Sequence, residues 1–334
     1  MVYKTIGFAL ILTIYFTNLL ASTVKDSLYI RTYDQTITTR VFISEKYTNF
    51  KLEDSNDRTQ FDFRPNSKLN LGIGATYKSF TLNLAHGFKF LNPENGKGET
   101  KYLDLQSHIY TPKVALDLYA QFYNGFYLKN SFQFIDHIYI RPDFKQRLIG
   151  GSALFIKNHK RFSFKAALMQ NEQQLKSAGS LLYGFEIVFG SLQSDSVITP
   201  YFTDSASFID IQDTKAYSFV KVGPGIGYAH TFVVKQKFFT LLSLTLNIGV
   251  GSIQKELIEC RTESQGEVQG SLNSRVALGY NDHNSYFGIT FLNHSIVNGN
   301  AKKSFKGEFN VGNVRIIYAK RFKLNNRWIN DKLK

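Results

Sequence analysis

Residues 240–251 read TLLSLTLNIGVG, and this stretch decides the fold class. Leu242, Leu244, Leu246, Ile248 and Val250 share one parity, while Ser243, Thr245, Asn247 and Gly249 share the other. A period of two is that of a β-strand, whose successive side chains point to opposite faces. A 3.6-residue period would smear the same leucines around a whole helix. Two solvents fit such a strand. Its apolar face packs on a protein core with the polar face in water, or it meets lipid with the polar face lining a barrel interior.

The pattern recurs along the chain. In SFTLNLAHGFKF, Phe80, Leu82, Leu84, Phe88 and Phe90 oppose Thr81, Asn83 and Lys89. In KVALDLYAQFY, Val114, Leu116, Leu118 and Phe122 oppose Asp117, Tyr119 and Gln121. LNLGIGATY, RFSFKAALMQ, LLYGFEIVFG, SLNSRVALGY and VRIIYAKRF alternate in the same way. Twelve strands are expected, near 68–77, 79–91, 101–110, 113–123, 145–157, 161–170, 178–190, 217–230, 237–250, 268–280, 285–296 and 311–322. Segments 36–44 and 131–140 are further candidates, so the expectation spans 10–14 strands. Each has about the 9–11 residues that a tilted strand needs to cross a bilayer. Pro224, inside KVGPGIGYAH, predicts a bulge or bend, because proline cannot donate to a strand ladder.

The polar parity carries Asp104, Asp117, Lys165, Glu186, Lys221 and Arg275. Charges of both signs at mid-strand are costly against lipid and acceptable in a wet lumen, so these six are the lumen-facing candidates. NPENGKGET, KNHK and NDHN supply turn chemistry between strands, and longer polar stretches lie at 170–178, 190–216 and 253–267. Tight turns alternating with longer loops suit an up-and-down meander.

Bulk composition agrees. Of 334 residues, 15% are aromatic, with 30 Phe, 19 Tyr and a single Trp. Mean hydropathy is slightly negative, which argues against helical spans but not against a barrel with a polar lumen. The lone Cys260 has no partner for an intrachain disulfide. The formal charge of +14 comes from scattered Lys and Arg without a helical basic motif, so nucleic acid is not an expected partner. The N-terminal MVYKTIGFALILTIYFTNLLAS has the basic, apolar and small-residue order of a signal peptide, with cleavage expected after Ala21. The expected organisation is a signal peptide (1–21), an N-terminal segment adding one or two strands (22–67), the barrel (68–322) and a polar tail (323–334).

Catalytic signals are weak. The glycines of GPGIGYAH lack a βαβ context, and the seven histidines show no zinc spacing. No cofactor and no metal are expected. FLNHSIVNGN looks somewhat similar to the His-x-Ser-Asn element of membrane-barrel lipid hydrolases, with His294 and Ser295 as hydrolase candidates. Their adjacency puts them on opposite faces of a strand, where a base cannot activate a nucleophile.

FRPNSKLNLGIGATYKSFTLNLAHGFKFLN, KGETKYLDLQSHIY, YIRPDFKQRLIGG and NEQQLKSAGSLLYG resemble an uncharacterised Gram-negative family, catalogued as domain of unknown function 4421. The resemblance implies an outer-membrane barrel and supplies no site residues. The loop NEQQLKSAGS (171–180) is its most distinctive element and is expected to contact the lumen or rim. The expectation is therefore an all-β, antiparallel, up-and-down transmembrane barrel in the outer membrane. Its expected partners are outer-membrane lipid, and small solutes or other envelope proteins. A non-enzymatic narrow pore or structural barrel leads. A lipid-modifying hydrolase and a soluble periplasmic β-sandwich are the alternatives.

Overall fold

The computed structural model describes residues 25–33, 35–77, 80–129, 138–204, 206–259, 261–299 and 305–323. The expected signal peptide (1–21), residues 130–137, Cys260 and the tail beyond Lys323 lie outside them. The strands are β1 (Ile30–Thr32), β2 (Thr36–Asp54), β3 (Gln60–Arg64), β4 (Leu69–Tyr77), β5 (Phe80–His86), β6 (Lys101–Tyr110), β7 (Val114–Leu128) and β8 (Ile140–Ile156). They continue as β9 (Glu172–Gln174), β10 (Ala178–Gln193), β11 (Thr214–Val234), β12 (Phe238–Leu257), β13 (Thr262–Asn281), β14 (Ser285–Asn298) and β15 (Phe305–Lys323). One short helix, α1 (Phe164–Leu168), interrupts them.

The sheet closes on itself. Hydrogen-bonded neighbours run β15–β14–β13–β12–β11–β10–β8–β7–β3–β2, and β2 pairs back onto β15. That ring has ten strands, all pairings antiparallel. β4 attaches to β2 and β5 to β4, and β6 attaches to β7, outside the ring path. The ring thus holds fewer strands than the twelve expected, with β4, β5 and β6 additional to it. A single closed sheet also replaces the two packed sheets of a sandwich.

On β12 the opening stretch behaves as its parity requires. Leu242, Leu244, Leu246, Ile248 and Val250 are 47–66% exposed on the outside, whereas Ser243, Thr245 and Asn247 are at most 4% exposed. The neighbours agree: Tyr183, Phe185, Ile187 and Phe189 on β10, and Val222, Ile226 and Tyr228 on β11, face out. β11 turns into β12 through Lys235 (φ 51) and Gln236 (φ 56), both left-handed, which matches the twist of a hairpin. Pro224 makes no bulge. Val222↔Val250 and Gly225↔Asn247 keep one register, and pairing onto β12 merely lapses at Gly223 and Pro224. Proline is tolerated because its ring points outward and its missing N–H costs one local bond.

Two aromatic-rich layers fill the interior. At the end with the longer loops, Phe50, Phe61, Phe63, Tyr123, Phe144, Tyr217 and Phe309 converge from around the ring. The loop between β10 and β11 adds Ile198, Phe208 and Ile211 to this layer. Phe208 adopts a left-handed backbone (φ 57, ψ 34) and its N–H donates to Asp54 Oδ2 at 2.6 Å. At the short-turn end, α1 and the loop 171–177 fold inward. Phe162, Phe164, Ala167 and Leu168 pack against Phe42, Tyr110, Leu154, Leu241 and Ile317.

The segment 161–170 is therefore a plug and not a strand. Phe162 and Phe164 continue the alternation in sequence, but FKAAL has no β-branched residue and two alanines, which favour helix. Ser163 Oγ caps α1 by accepting from Ala166 N at 3.3 Å. Lys165 consequently lies on this helix and not on a lumen-lining strand. The distinctive loop secures the plug. Gln173 Nε2 donates to Gln236 O and Asn281 O at 2.8 Å, and Arg321 Nη2 donates to Gln170 O at 2.5 Å.

Candidate lumenal site

Between the apolar layers the interior is polar. On β10, β11 and β13, residues of inward parity meet at Glu186. Lys221 Nζ (3.0 Å) and Ser271 Oγ (2.6 Å) donate to Glu186 Oε1, and Asn273 Nδ2 (3.0 Å) donates to Oε2. His294 Nε2 lies 3.0 Å from Oε2 without hydrogen-bond alignment. The side chains of Glu186 and Lys221 are wholly buried. A buried ion pair holds only when its remaining lone pairs and protons are satisfied, and Ser271 and Asn273 do this.

A second charged group lies on β6, β7 and β13. Asp117 Oδ1 accepts from His108 Nδ1 (2.6 Å) and from Tyr110 Oη (3.3 Å), and Oδ2 accepts from Arg275 Nη2. A third surrounds Asp104, whose Oδ2 accepts from Gln121 Nε2 (2.6 Å) and Tyr123 Oη (2.7 Å). Lys46 Nζ reaches it from β2 at 3.4 Å.

A small cavity opens at this waist, lined by His108, Asp117, Tyr119, Asn273, Arg275 and His294 among others. It has room for a few waters or one small head group. Several polar atoms of the waist have no protein partner: His108 Nε2, Tyr119 Oη, Arg275 Nη1, Asn247 Oδ1 and Thr245 Oγ1. Buried polar atoms in such number call for water or a ligand.

The wall beside this cavity is incomplete. Among the described residues β5 pairs only with β4, and β6 only with β7. Pro65 ends β3, and β4 resumes only at Leu69. The loop joining β5 to β6 is stitched across the break, because Asn92 bonds both Leu69 N (2.7 Å) and Leu69 O (3.0 Å). Below that loop, residues 82–86 of β5 are exposed on both faces.

Five of the six lumen candidates, Asp104, Asp117, Glu186, Lys221 and Arg275, take part in these three groups. Parity does not reveal which of them meet. Tyr119 and Asn273 lie two residues, and Ser271 four, from a charged candidate on the same face, and that shared parity is the only sequence signal for them. His294 and Ser295 are not brought together: His294 faces Glu186 inside, and Ser295 Oγ donates to Glu308 Oε1 at 2.8 Å on the other face. Among the described residues no cluster of three or more His, Cys, Asp or Glu could hold a metal ion.

Fold and site together define an antiparallel β-barrel with an apolar outer face, sealed ends and a polar waist. The chain belongs to the family described as "Domain of unknown function (DUF4421)", whose model matches residues 24–322. No curated protein matches the chain. Among solved structures, the toluene transporter TodX of P. putida is 8% identical, with 87% of this chain and 91% of that chain covered and a TM-score of 0.25. OmpT of Vibrio cholerae is 9% identical over 89% of this chain and 100% of that chain, with a TM-score of 0.27. Ail of Yersinia pestis is 11% identical over 83% and 97%, with a TM-score of 0.20. Superpositions this weak assign no activity.

Proposed function

We propose that this chain is an outer-membrane β-barrel that handles small solutes without enzymatic chemistry, and that the described conformation is its closed state. The observation that carries the reading is the layering. A closed ring bears exposed leucines and aromatics outside, a wet charged waist inside, and an apolar seal at each end. An apolar exterior of this extent is unfavourable in water and favourable in lipid. Two apolar layers and the buried Lys221–Glu186 pair occupy the lumen, which supports a closed state. Passage then requires one seal to move. The plug at 161–177 is the candidate, since it is one contiguous segment tied to the wall by a few side-chain bonds to backbone carbonyls as well as by its apolar packing.

The hydrolase alternative is disfavoured, because Ser295 and His294 face opposite ways. The test has two stages. Envelope fractionation with a heat-modifiability gel comes first. A protein extracted by carbonate, with no shift between unboiled and boiled samples, would end the membrane reading. Planar-bilayer recording follows: the intact chain is expected to be nearly silent, and a chain whose plug is loosened by Arg321→Ala is expected to conduct. Equal conductance of the two would sink the closed-pore reading.

A further inference from the structure

We propose that the waist cavity is a binding site for a small carboxylate anion, an inference that rests on the solute-handling barrel proposed above. Arg275 is 3% exposed and spends Nη2 on Asp117, which leaves Nη1 without a partner of good geometry. Tyr119 Oη and His108 Nε2 are likewise unpartnered, and all three residues line the same cavity. A guanidinium nitrogen can only donate. A phenol donates readily, and His108 Nε2 donates once the ring is charged. What completes this set is therefore an acceptor, and an ionised one forms the strongest bonds with arginine.

Asp117 does not fill that role. Its Oδ1 already accepts from His108 and Tyr110, and its Oδ2 from Arg275. The surrounding charge points the same way. Arg315 has the inward parity of β15 and forms no salt bridge among the described residues. With Arg275, Lys221 and Lys46 it outnumbers Asp117, Glu186 and Asp104, so the waist carries excess positive charge when its histidines are neutral. Leu292 and Val311 supply an apolar flank for a short tail. The cavity has room for a carboxylate head beside these donors. The unpaired edge of β6, which bears His108, gives a side approach that need not disturb either seal.

Calorimetry on the full chain in lipid nanodiscs tests the site with acetate, butyrate and butylammonium. Acetate and butyrate are expected to bind and butylammonium is not. Tyr119→Phe removes one hydroxyl without changing shape, and is expected to weaken both carboxylates about tenfold, the worth of a hydrogen bond to a charge. Arg275→Gln is expected to abolish binding. Should Arg275→Gln fail to fold, Tyr119→Phe carries the test alone. A wild-type protein that shifts on the heat gel but binds neither carboxylate overturns the site and leaves the barrel standing. Unchanged affinity in a folded Tyr119→Phe protein also overturns it. Absence of the heat shift in the wild type overturns the barrel reading itself.

Discussion

Two arcs of the same wall are built differently. From β10 round to β2, each strand has 14–21 residues and is paired on both sides over most of its length. From β3 to β6 the strands have 5–10 residues, proline breaks the line, and two edges carry no partner among the described residues. The buried charges divide in the same way. Glu186 and Lys221 belong to the long arc and are fully enclosed, whereas Asp104 on β6 is paired with a lysine that is 29% exposed. The long arc provides rigidity, and the short arc provides the only stretch of wall, among the described residues, where an interior site adjoins an unpaired backbone.

The largest expected effect is at the enclosed pair. Glu186→Gln leaves Lys221 charged and buried, at a cost of about 3–5 kcal/mol. Asp104→Asn is expected to cost well under half of that, because Lys46 can turn to water. Urea titration read by the heat-shifted band compares them, and equal costs would break the contrast between the arcs.

Lipid-facing charge comes next. Leu246→Arg on β12 is expected to cost about 2–4 kcal/mol near the middle of the apolar band. Leu84→Arg on β5 should cost about 1 kcal/mol or less, since that strand adjoins a wet edge. The same titration in lipid vesicles separates the two values.

Hydrogen exchange sharpens the comparison without any substitution. Amides of β12 and β13, paired from Phe238↔Tyr280 to Glu256↔Thr262, should exchange only with global opening. The edge amides of β5 and β6 should exchange orders of magnitude faster. Matching protection would show that the two edges are covered in the membrane.

The smallest effect is expected at a tight turn of the long arc. Burial pushes the Asp282 carboxyl up, but the backbone N–H groups of Ser285 and Asn284 and the Tyr280 hydroxyl outweigh it, so its pKa falls below the usual value of 3.8. A depressed carboxylate stabilises the fold above its unfolded pKa and loses that contribution as pH drops through the folded one. Wild-type stability should therefore fall below about pH 4 by more than that of Asp282→Asn. The difference is under about 1 kcal/mol for so exposed a group. Parallel melts at pH 6 and pH 3 measure it.

The long arc was the legible one. An apolar outer face and a polar inner face impose strict alternation, and Leu242 to Val250 keep it without interruption. The short arc and the plug were not legible, because other forces shape them. RFSFKAALMQ alternates up to Phe164, yet the barrel mouth rewards filling volume over extending a wall, and the chain coils there. β2 was foreseen only as 36–44, since its upper half, KYTNFKLED, mixes charge with aromatics as it turns from the outer apolar band to the loop-side core. The site divides likewise. Parity placed Asp117, Glu186, Lys221 and Arg275 on the inner face, while their partnerships join residues 35 to 158 positions apart, which no local pattern encodes.

The seam between β15 and β2 has a consequence for how the chain matures. Both strands have 19 residues, and they zip from Phe305↔Asp54 to Lys323↔Thr36. The ring therefore cannot shut until its last strand arrives, and the contacts that shut it span almost the whole sequence. Closure of so large a loop pays its entropy before it gains a bond, which makes such folds slow. Until then β2 and β15 offer long free edges that could recruit other strands. The chain should thus depend on protection of these edges before closure, and shortening β15 should slow assembly far more than an equal cut in any strand of the short arc.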